Sequence, residues 1–138
     1  MAELLVVSDS PNVLEEVKAS IPDSSITVRE LTRGSDVRPE VHRSAPDLVV
    51  LDSQIGAMGG MATCLDLHLE AGAGRLPHVP VLMLMDRRAD VFLARRSNAE
   101  GWLVKPLDPM RTSRAITALL AGGTYEDDAY RPATVPLR

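Results

Sequence analysis

The stretch that decides the fold is DLVVLD, residues 47–52, in which four consecutive apolar residues end at an aspartate. Similar apolar runs occur at residues 4–7, 79–85 and 102–104, and residues 26–31 alternate more loosely. Short continuous apolar runs of this kind are typical of strands that are buried on both faces. The sequence therefore predicts five strands that share one sheet.

Helical signals lie between these apolar runs. Ser10 and Asp108 each precede a proline, which is the pattern of an N-cap followed by proline at the first helical position. Further helices are predicted after residue 60 and over residues 88–98, and a weak one over residues 36–44. Strands that alternate with helices predict a parallel α/β sheet with helices on both faces.

Length and composition agree with one globular domain. The chain has 138 residues and is 45% hydrophobic, so it is long enough to bury a core. One cysteine, Cys64, excludes an intramolecular disulfide, and residues 4–7 are too short an apolar run for a signal peptide or membrane span. We expect a cytoplasmic protein with a domain over residues 1–121 and a flexible tail over residues 122–138.

The residues that end the predicted strands carry the chemistry. Sites in an open parallel sheet form outside the carboxyl ends of its strands. The residues at these ends are Ser8, Asp9, Asp52, Met85, Asp86 and Lys105. Two carboxylates, Asp9 and Asp52, suit a divalent cation with oxygen ligands such as Mg²⁺. Together with the positive charge of Lys105, they are the groups needed to accept a phosphoryl group.

These residues give the chain a resemblance to the receiver domains of response regulators in two-component signalling. The resemblance spans about residues 3–121, and its matching segments are residues 8–9, 47–52, 58–60 and 101–106. It implies a flavodoxin-like (βα)5 fold, which is a doubly wound parallel five-stranded sheet of order 2-1-3-4-5.

The resemblance also implies a role for each residue at the strand ends. It implies that Asp52 is the phosphoacceptor and that Lys105 contacts the phosphoryl group. Asp9, Asp52 and the backbone carbonyl of Gln54 would hold Mg²⁺. The implied partner is a histidine kinase or another signalling protein, and the chain would itself be a phosphoacceptor rather than an enzyme.

Three positions at the strand ends depart from the family's pattern, which identifies an atypical receiver. Ser8 replaces an acidic residue, so we expect weaker Mg²⁺ binding. Met85 replaces a hydroxyl residue at the end of the fourth strand, and a thioether cannot donate a hydrogen bond to a phosphoryl oxygen. Asp86 adds negative charge near that position. Trp102 holds the family's aromatic switch position in the fifth strand but lacks the usual hydroxyl trigger.

Charge is distributed unevenly along the chain. Residues 1–74 carry five basic and twelve acidic side chains, whereas residues 75–125 carry eight basic and four acidic ones. Arginines cluster near the fourth and fifth helices, at Arg87, Arg88, Arg95, Arg96, Arg111 and Arg114. We interpret them as an interaction face for a partner or a homodimer, or alternatively as a solvated surface. Without a recognition motif or stacking aromatics, we expect no direct nucleic-acid binding.

Three readings remain open on the sequence alone, and the phosphoacceptor described above is the first of them. The chain could be a phosphorylation-independent dimerisation or protein-interaction module on a receiver fold, in which Asp52 and Lys105 form an inert ion pair. A small α/β enzyme is a third reading, which the lack of nucleophile and nucleotide-loop motifs opposes. The three histidines, His42, His68 and His78, are scattered over helix and loop, and we expect no metal site among them.

Overall fold

Strands and helices alternate along the chain. The computed structural model describes residues 2–56, 58–87 and 90–127, so Arg88 and the last part of the predicted tail lie outside the described residues. The strands are β1 Glu3–Val7, β2 Thr27–Leu31, β3 Leu48–Asp52, β4 Val81–Met85, β5 Gly101–Val104 and β6 Tyr125–Glu126. The helices are α1 Pro11–Ala19, α2 Val37–Arg43, α3 Gly60–Gly72, α4 Val91–Arg96 and α5 Pro109–Leu120, with a 3₁₀ turn at Gly34–Asp36.

The strands form one sheet of order β2-β1-β3-β4-β5-β6, and all of its pairings are parallel. The predicted order of the first five strands is confirmed. The register of neighbouring strands places Val50 opposite Leu82 and Leu84 opposite Leu103. The carboxyl ends of β1, β3, β4 and β5 therefore meet at one edge of the sheet.

Alternate side chains of the strands enter two separate cores. Leu5 and Val49 belong to the core under α2, α3 and α4, whereas Leu4 and Val50 belong to the core under α1 and α5. All four side chains are fully buried. This two-sided burial explains why the central strands are continuously apolar rather than alternating.

The capped helices α1 and α5 start as predicted, whereas helix α4 differs from the prediction. The Ser10 side chain accepts the N–H of Val13, and Asp108 accepts that of Met110. Helix α4 is shorter than the predicted 88–98, because Asn98 takes a left-handed φ of 62° just beyond its end. Among the described residues, no helix combines the length and apolar character needed to cross a membrane.

A sixth strand corrects the prediction of a five-stranded sheet followed by a flexible tail from residue 122. Gly122 adopts a φ of +87° after α5 and turns the chain back, and Tyr125 then pairs with Gly101 of β5. A Cβ atom on Gly101 would lie 2.9 Å from the Leu119 side chain and 3.1 Å from the Tyr125 carbonyl oxygen. The small residue at position 101 therefore allows β6 and α5 to approach β5 closely.

Candidate functional site

Four of the predicted strand-end residues lie together at the carboxyl edge of the sheet. Ser8 follows β1, Asp52 ends β3, Asp86 follows β4 and Lys105 follows β5. Their side chains form a connected chain of hydrogen bonds and ion pairs. We call these four residues the acidic rim.

Asp52 is the centre of the acidic rim and is 1% exposed. Its Oδ1 accepts a hydrogen bond from Lys105 Nζ at 2.7 Å and another from the Gln54 N–H at 3.1 Å. Its Oδ2 accepts the Ser8 hydroxyl at 2.7 Å. A carboxylate this deeply buried needs such partners, because an unpaired buried charge carries a large desolvation penalty.

Lys105 forms ion pairs with two carboxylates. Its Nζ lies 2.7 Å from Asp52 Oδ1 and 2.7 Å from Asp86 Oδ1. Burial disfavours the ammonium, but the hydrogen bonds to Asp52 and Asp86 outweigh it and raise the pKa of Lys105 above its usual value. The lysine is therefore a fixed positive charge at the rim, and Asp86 competes with Asp52 for it.

A close backbone contact between α3 and β3 shapes the floor of this site. A Cβ atom on Gly60 would lie 2.6 Å from the Asp52 carbonyl oxygen and 2.7 Å from Ser53 Cα. The Gly60 N–H in turn donates to the Ser53 carbonyl at 3.3 Å. Glycine at the first position of α3 thus lets the helix begin directly against the end of the strand that carries Asp52.

Asp9 and Gln54 flank the acidic rim and are exposed. Asp9 follows Ser8 directly, and a Cβ atom on Gly56 would lie 3.9 Å from its Oδ2. Asp9 thus borders the β3–α3 loop, whose Gln54 N–H bonds the Asp52 carboxylate. The carboxylates of Asp9 and Asp52 and the carbonyl of Gln54 are all oxygen donors, the type that Mg²⁺ prefers.

Met85 and Trp102 lie in the core rather than at the acidic rim. Met85 is 1% exposed and Trp102 is 2% exposed, and both belong to the core under α2, α3 and α4. Trp102 Nε1 is buried, and the structure gives it no hydrogen-bond partner among the described residues. Met85 thus places a thioether, which cannot donate a hydrogen bond, at the end of β4.

The predicted arginine face is partly engaged by the chain itself. Arg95 pairs with Glu126 of β6 at 3.2 Å, and Arg96 stacks on the exposed ring of Phe92 at 4.6 Å. Arg111 lies 3.6 Å from Asp127, and Arg87 pairs with Asp90 within its own turn. Sequence reasoning missed β6, although the Gly122-Gly123 pair marked the end of α5.

Arg114 lies three residues after Arg111 on α5 and has different neighbours. It lines a groove formed by α5 and the end of α1, together with Ser20 and Pro109. The structure thus brings Arg95 and Arg111 to the side of the sheet that β6 occupies, and places Arg114 beside α1.

Comparison with known proteins agrees with this geometry. The model of the response regulator receiver domain family matches residues 4–117. The protein PilH of Pseudomonas aeruginosa is 27% identical over 122 residues, which cover 88% of this chain and all of PilH. An uncharacterised response regulatory protein of Mycobacterium tuberculosis is 32% identical over 85% of this chain and 90% of its own length. The DNA-binding response regulator MtrA of Mycolicibacterium smegmatis is 29% identical, but the chain spans half its length.

Solved structures share the fold of this chain. A two-component response regulator of the LuxR family from Aurantimonas superposes with a TM-score of 0.80 at 24% identity, covering 94% of this chain and 92% of the other. The chemotaxis response regulator CheY4 of Vibrio cholerae gives a TM-score of 0.74 at 21% identity, covering 86% and 98%. The chain thus belongs to the response regulator receiver domain family of two-component signalling.

Proposed function

We propose that the chain receives a phosphoryl group on Asp52 from a histidine kinase and passes the signal on through protein contacts. The observation that carries this proposal is the Lys105–Asp52 contact of 2.7 Å at the carboxyl end of β3. It places a fixed cation against a buried carboxylate at the edge where parallel sheets carry their sites.

The residues of the acidic rim have separate parts in this transfer. A carboxylate oxygen of Asp52 forms the new bond to phosphorus, while the bond from phosphorus to the donor's nitrogen or oxygen breaks and the donor keeps that electron pair. The Lys105 ammonium offsets the negative charge of the phosphoryl oxygens. Ser8 holds Oδ2 of Asp52 in place through its hydroxyl.

Receiver domains of this family bind Mg²⁺ at their acidic site, and the residues here fit that ion. We assign its ligands to Asp9, Asp52 and the backbone carbonyl of Gln54, since Mg²⁺ is usually held by one or two carboxylates with several waters. When bound, the ion adds positive charge beside the phosphoryl oxygens. Ser8 contributes no charge, so the affinity should be lower than at a site with three carboxylates.

The output surface that we propose is the side of β5 between α4 and α5. It carries Arg95, Arg96 and Arg111 and the exposed side chain of Phe92. Strand β6 pairs with β5 on this side, and its Glu126 forms an ion pair with Arg95. A protein partner, or a second copy of the chain, would bind next to β6 or displace it.

A second candidate function is a phosphorylation-independent interaction module on the same fold. The observation that favours it is the position of Asp86, whose carboxylate holds Lys105 as closely as Asp52 does. Met85, buried in the core, cannot supply the hydrogen bond that would relay phosphorylation to Trp102. In that case, the acidic rim would be a structural ion-pair network.

Labelling with radioactive acetyl phosphate in the presence of Mg²⁺ separates the two candidates. We expect the chain to retain label that hydroxylamine releases, as it does from an acyl phosphate, and Asp52→Asn to retain none. Asp23→Asn, which removes one exposed carboxylate from the β2 side of the fold, is the matched control and should label like the wild type. A folded wild-type chain that takes up no label would favour the interaction module.

A further inference from the structure

A cluster of two histidines and a glutamate lies at the opposite edge of the sheet from Asp52. His68 is on α3, His78 is in the loop before β4, and Glu100 directly precedes β5. Glu100 Oε2 lies 3.0 Å from His68 Nε2 and 3.2 Å from His78 Nε2. One potential ligand atom from each residue lies within 4.8 Å of the other two.

Hydrogen bonds to neighbouring groups orient this cluster. His68 Nδ1 lies 2.9 Å from the Cys64 carbonyl oxygen, so the Nδ1–H donates to the backbone and Nε2 points toward Glu100. Glu100 Oε1 accepts the Val81 N–H at 2.8 Å, which leaves Oε2 directed between the two imidazoles. Ligand histidines in metal sites are held by this kind of second hydrogen bond, which fixes the tautomer and the ring direction.

Two of the three distances between these atoms match those of a metal centre, and the third, between the two histidines, is within 4.8 Å. Bonds of about 2.0–2.1 Å from a tetrahedral ion place neighbouring ligand atoms about 3.3 Å apart. The two Glu100–histidine distances, 3.0 and 3.2 Å, are close to this value. His78 is 60% exposed, so its ring has room to turn toward His68 and an ion has a path from solvent.

We propose that His68, His78 and Glu100 form a binding site for Zn²⁺ or a similar divalent transition-metal ion. Each imidazole supplies Nε2 and the carboxylate supplies Oε2. Two histidines and one glutamate are a known zinc ligand set, and imidazole suits zinc, copper and nickel better than a hard cation such as the Mg²⁺ proposed at the acidic rim. Three protein ligands leave the fourth position to water or to a group from a partner.

This site is separate from the acidic rim. Glu100 and Lys105 stand at the two ends of β5, five residues apart, which is about 16 Å along a strand. A bound ion would join α3, the loop before β4 and the start of β5, three segments that the sequence keeps far apart. Binding would stabilise the fold because the unfolded chain does not hold the three ligands together.

A proton opposes the ion at this site. Contacts with Cys64 and Glu100 raise the pKa of His68 to about 10. The ion therefore has to displace the proton that His68 shares with Glu100, as metal binding to histidine generally releases protons. Measurements at pH 8 reduce this competition relative to neutral pH.

The test is a calorimetric titration of the full, untagged chain with zinc chloride at pH 8, alongside thermal unfolding with and without the ion. We expect saturable binding of one Zn²⁺ per chain and a rise in the melting temperature that a chelator reverses. His78→Ala should weaken binding by about tenfold or more. Since His78 is exposed, this variant is expected to fold normally.

Glu100→Gln and His42→Ala complete the design. Glu100→Gln keeps an oxygen for the Val81 N–H and should lose binding, while His42→Ala removes the one histidine outside the cluster and should bind like the wild type. The proposal is overturned if the wild type shows no saturable binding, if His78→Ala binds as tightly as the wild type, or if His42→Ala loses as much affinity as His78→Ala.

Discussion

At the scale of single side chains, Asp86 is the residue of the acidic rim that competes with Asp52 for the charge of Lys105. Its carboxylate and that of Asp52 hold Lys105 at the same distance of 2.7 Å. Any phosphoryl group on Asp52 has to share the lysine with Asp86 or displace it. The side chain of Asp86 is 36% exposed, so solvent screens part of its charge.

Asp86→Asn should therefore speed phosphorylation of Asp52 by small phosphodonors. Removing a partly exposed charge of this kind changes an interaction by up to about 1 kcal/mol, which corresponds to a rise of about two- to fivefold in the labelling rate. The measurement is the initial rate with labelled acetyl phosphate. Asp23→Asn carries the same charge change away from the rim and should leave the rate unaltered. A slower rate in Asp86→Asn would show that Asp86 assists the reaction.

At the scale of elements, the start of α3 fixes how the loop after β3 lies over the rim. Gly60 sits against the backbone of Asp52 and Ser53, whereas an added Cβ atom on Gly59 would meet nothing within 4 Å. Gly59 also has an ordinary φ of −59°. The two adjacent glycines therefore have different roles. Gly60 makes a close backbone contact, whereas Gly59 has open space around its Cα.

Gly60→Ala should destabilise the fold, and Gly59→Ala should not. An extra methyl group against fixed backbone costs about 1–3 kcal/mol of the free energy of unfolding, and shifting α3 should also slow labelling of Asp52. Urea unfolding of both variants measures the difference. Equal stabilities of Gly60→Ala and the wild type would contradict the close contact.

Strand β6 is the element that joins the end of the described chain to the sheet. Asp127 is fully buried, and its Oδ2 accepts the Val104 N–H at 3.2 Å. The neighbouring Glu126 pairs with Arg95, and both of those side chains are more than a third exposed. The buried acceptor, rather than the surface ion pair, should hold β6 in place.

Asp127→Ala should lower the free energy of unfolding by about 1–3 kcal/mol, because the Val104 N–H loses its buried acceptor. Faster amide exchange at Val104 should accompany the loss. Glu126→Gln is the control on the adjacent residue and should cost less than about 1 kcal/mol. If the two variants are equally stable, Asp127 does not anchor the strand.

The elements show which features a sequence can predict. The five strands and the capped helices α1 and α5 carry several residues of periodic pattern each, and they were predicted. Strand β6 has two residues, too few for any pattern, and only pairing with β5 defines it. The His68–Glu100 contact joins residues 32 positions apart, so no local sequence pattern predicts it.

The site itself was predictable in part. The contact between Asp52 and Lys105 follows from strand order, since residues that end neighbouring parallel strands meet at one edge. Sequence spacing does not specify side-chain directions. It therefore could not predict the ion pair between Asp86 and Lys105 or the hydrogen bond from the Ser8 hydroxyl to Asp52. The same limit applies to the histidines: we expected no metal site among them because they are scattered along the chain, and spacing alone does not show that His68 and His78 both lie against Glu100.

At the scale of the whole molecule, two groups of charged side chains lie at opposite ends of the strands. The carboxyl edge carries the acidic rim, and the amino edge carries the cluster of His68, His78 and Glu100. The basic excess of residues 75–125 is partly neutralised within the chain, since Arg95 faces Glu126 and Lys105 faces two carboxylates. The charge asymmetry of the sequence thus becomes a spatial arrangement of two sites and one partly covered face.

The intact mass of the chain after incubation with acetyl phosphate and Mg²⁺ is the sharpest test of Asp52 as the phosphoacceptor. We expect that the wild type gains the mass of one phosphoryl group, that fragmentation locates it on Asp52, and that Asp52→Asn gains none. A folded wild-type chain whose mass does not change, or an Asp52→Asn variant that gains the same mass, would contradict it.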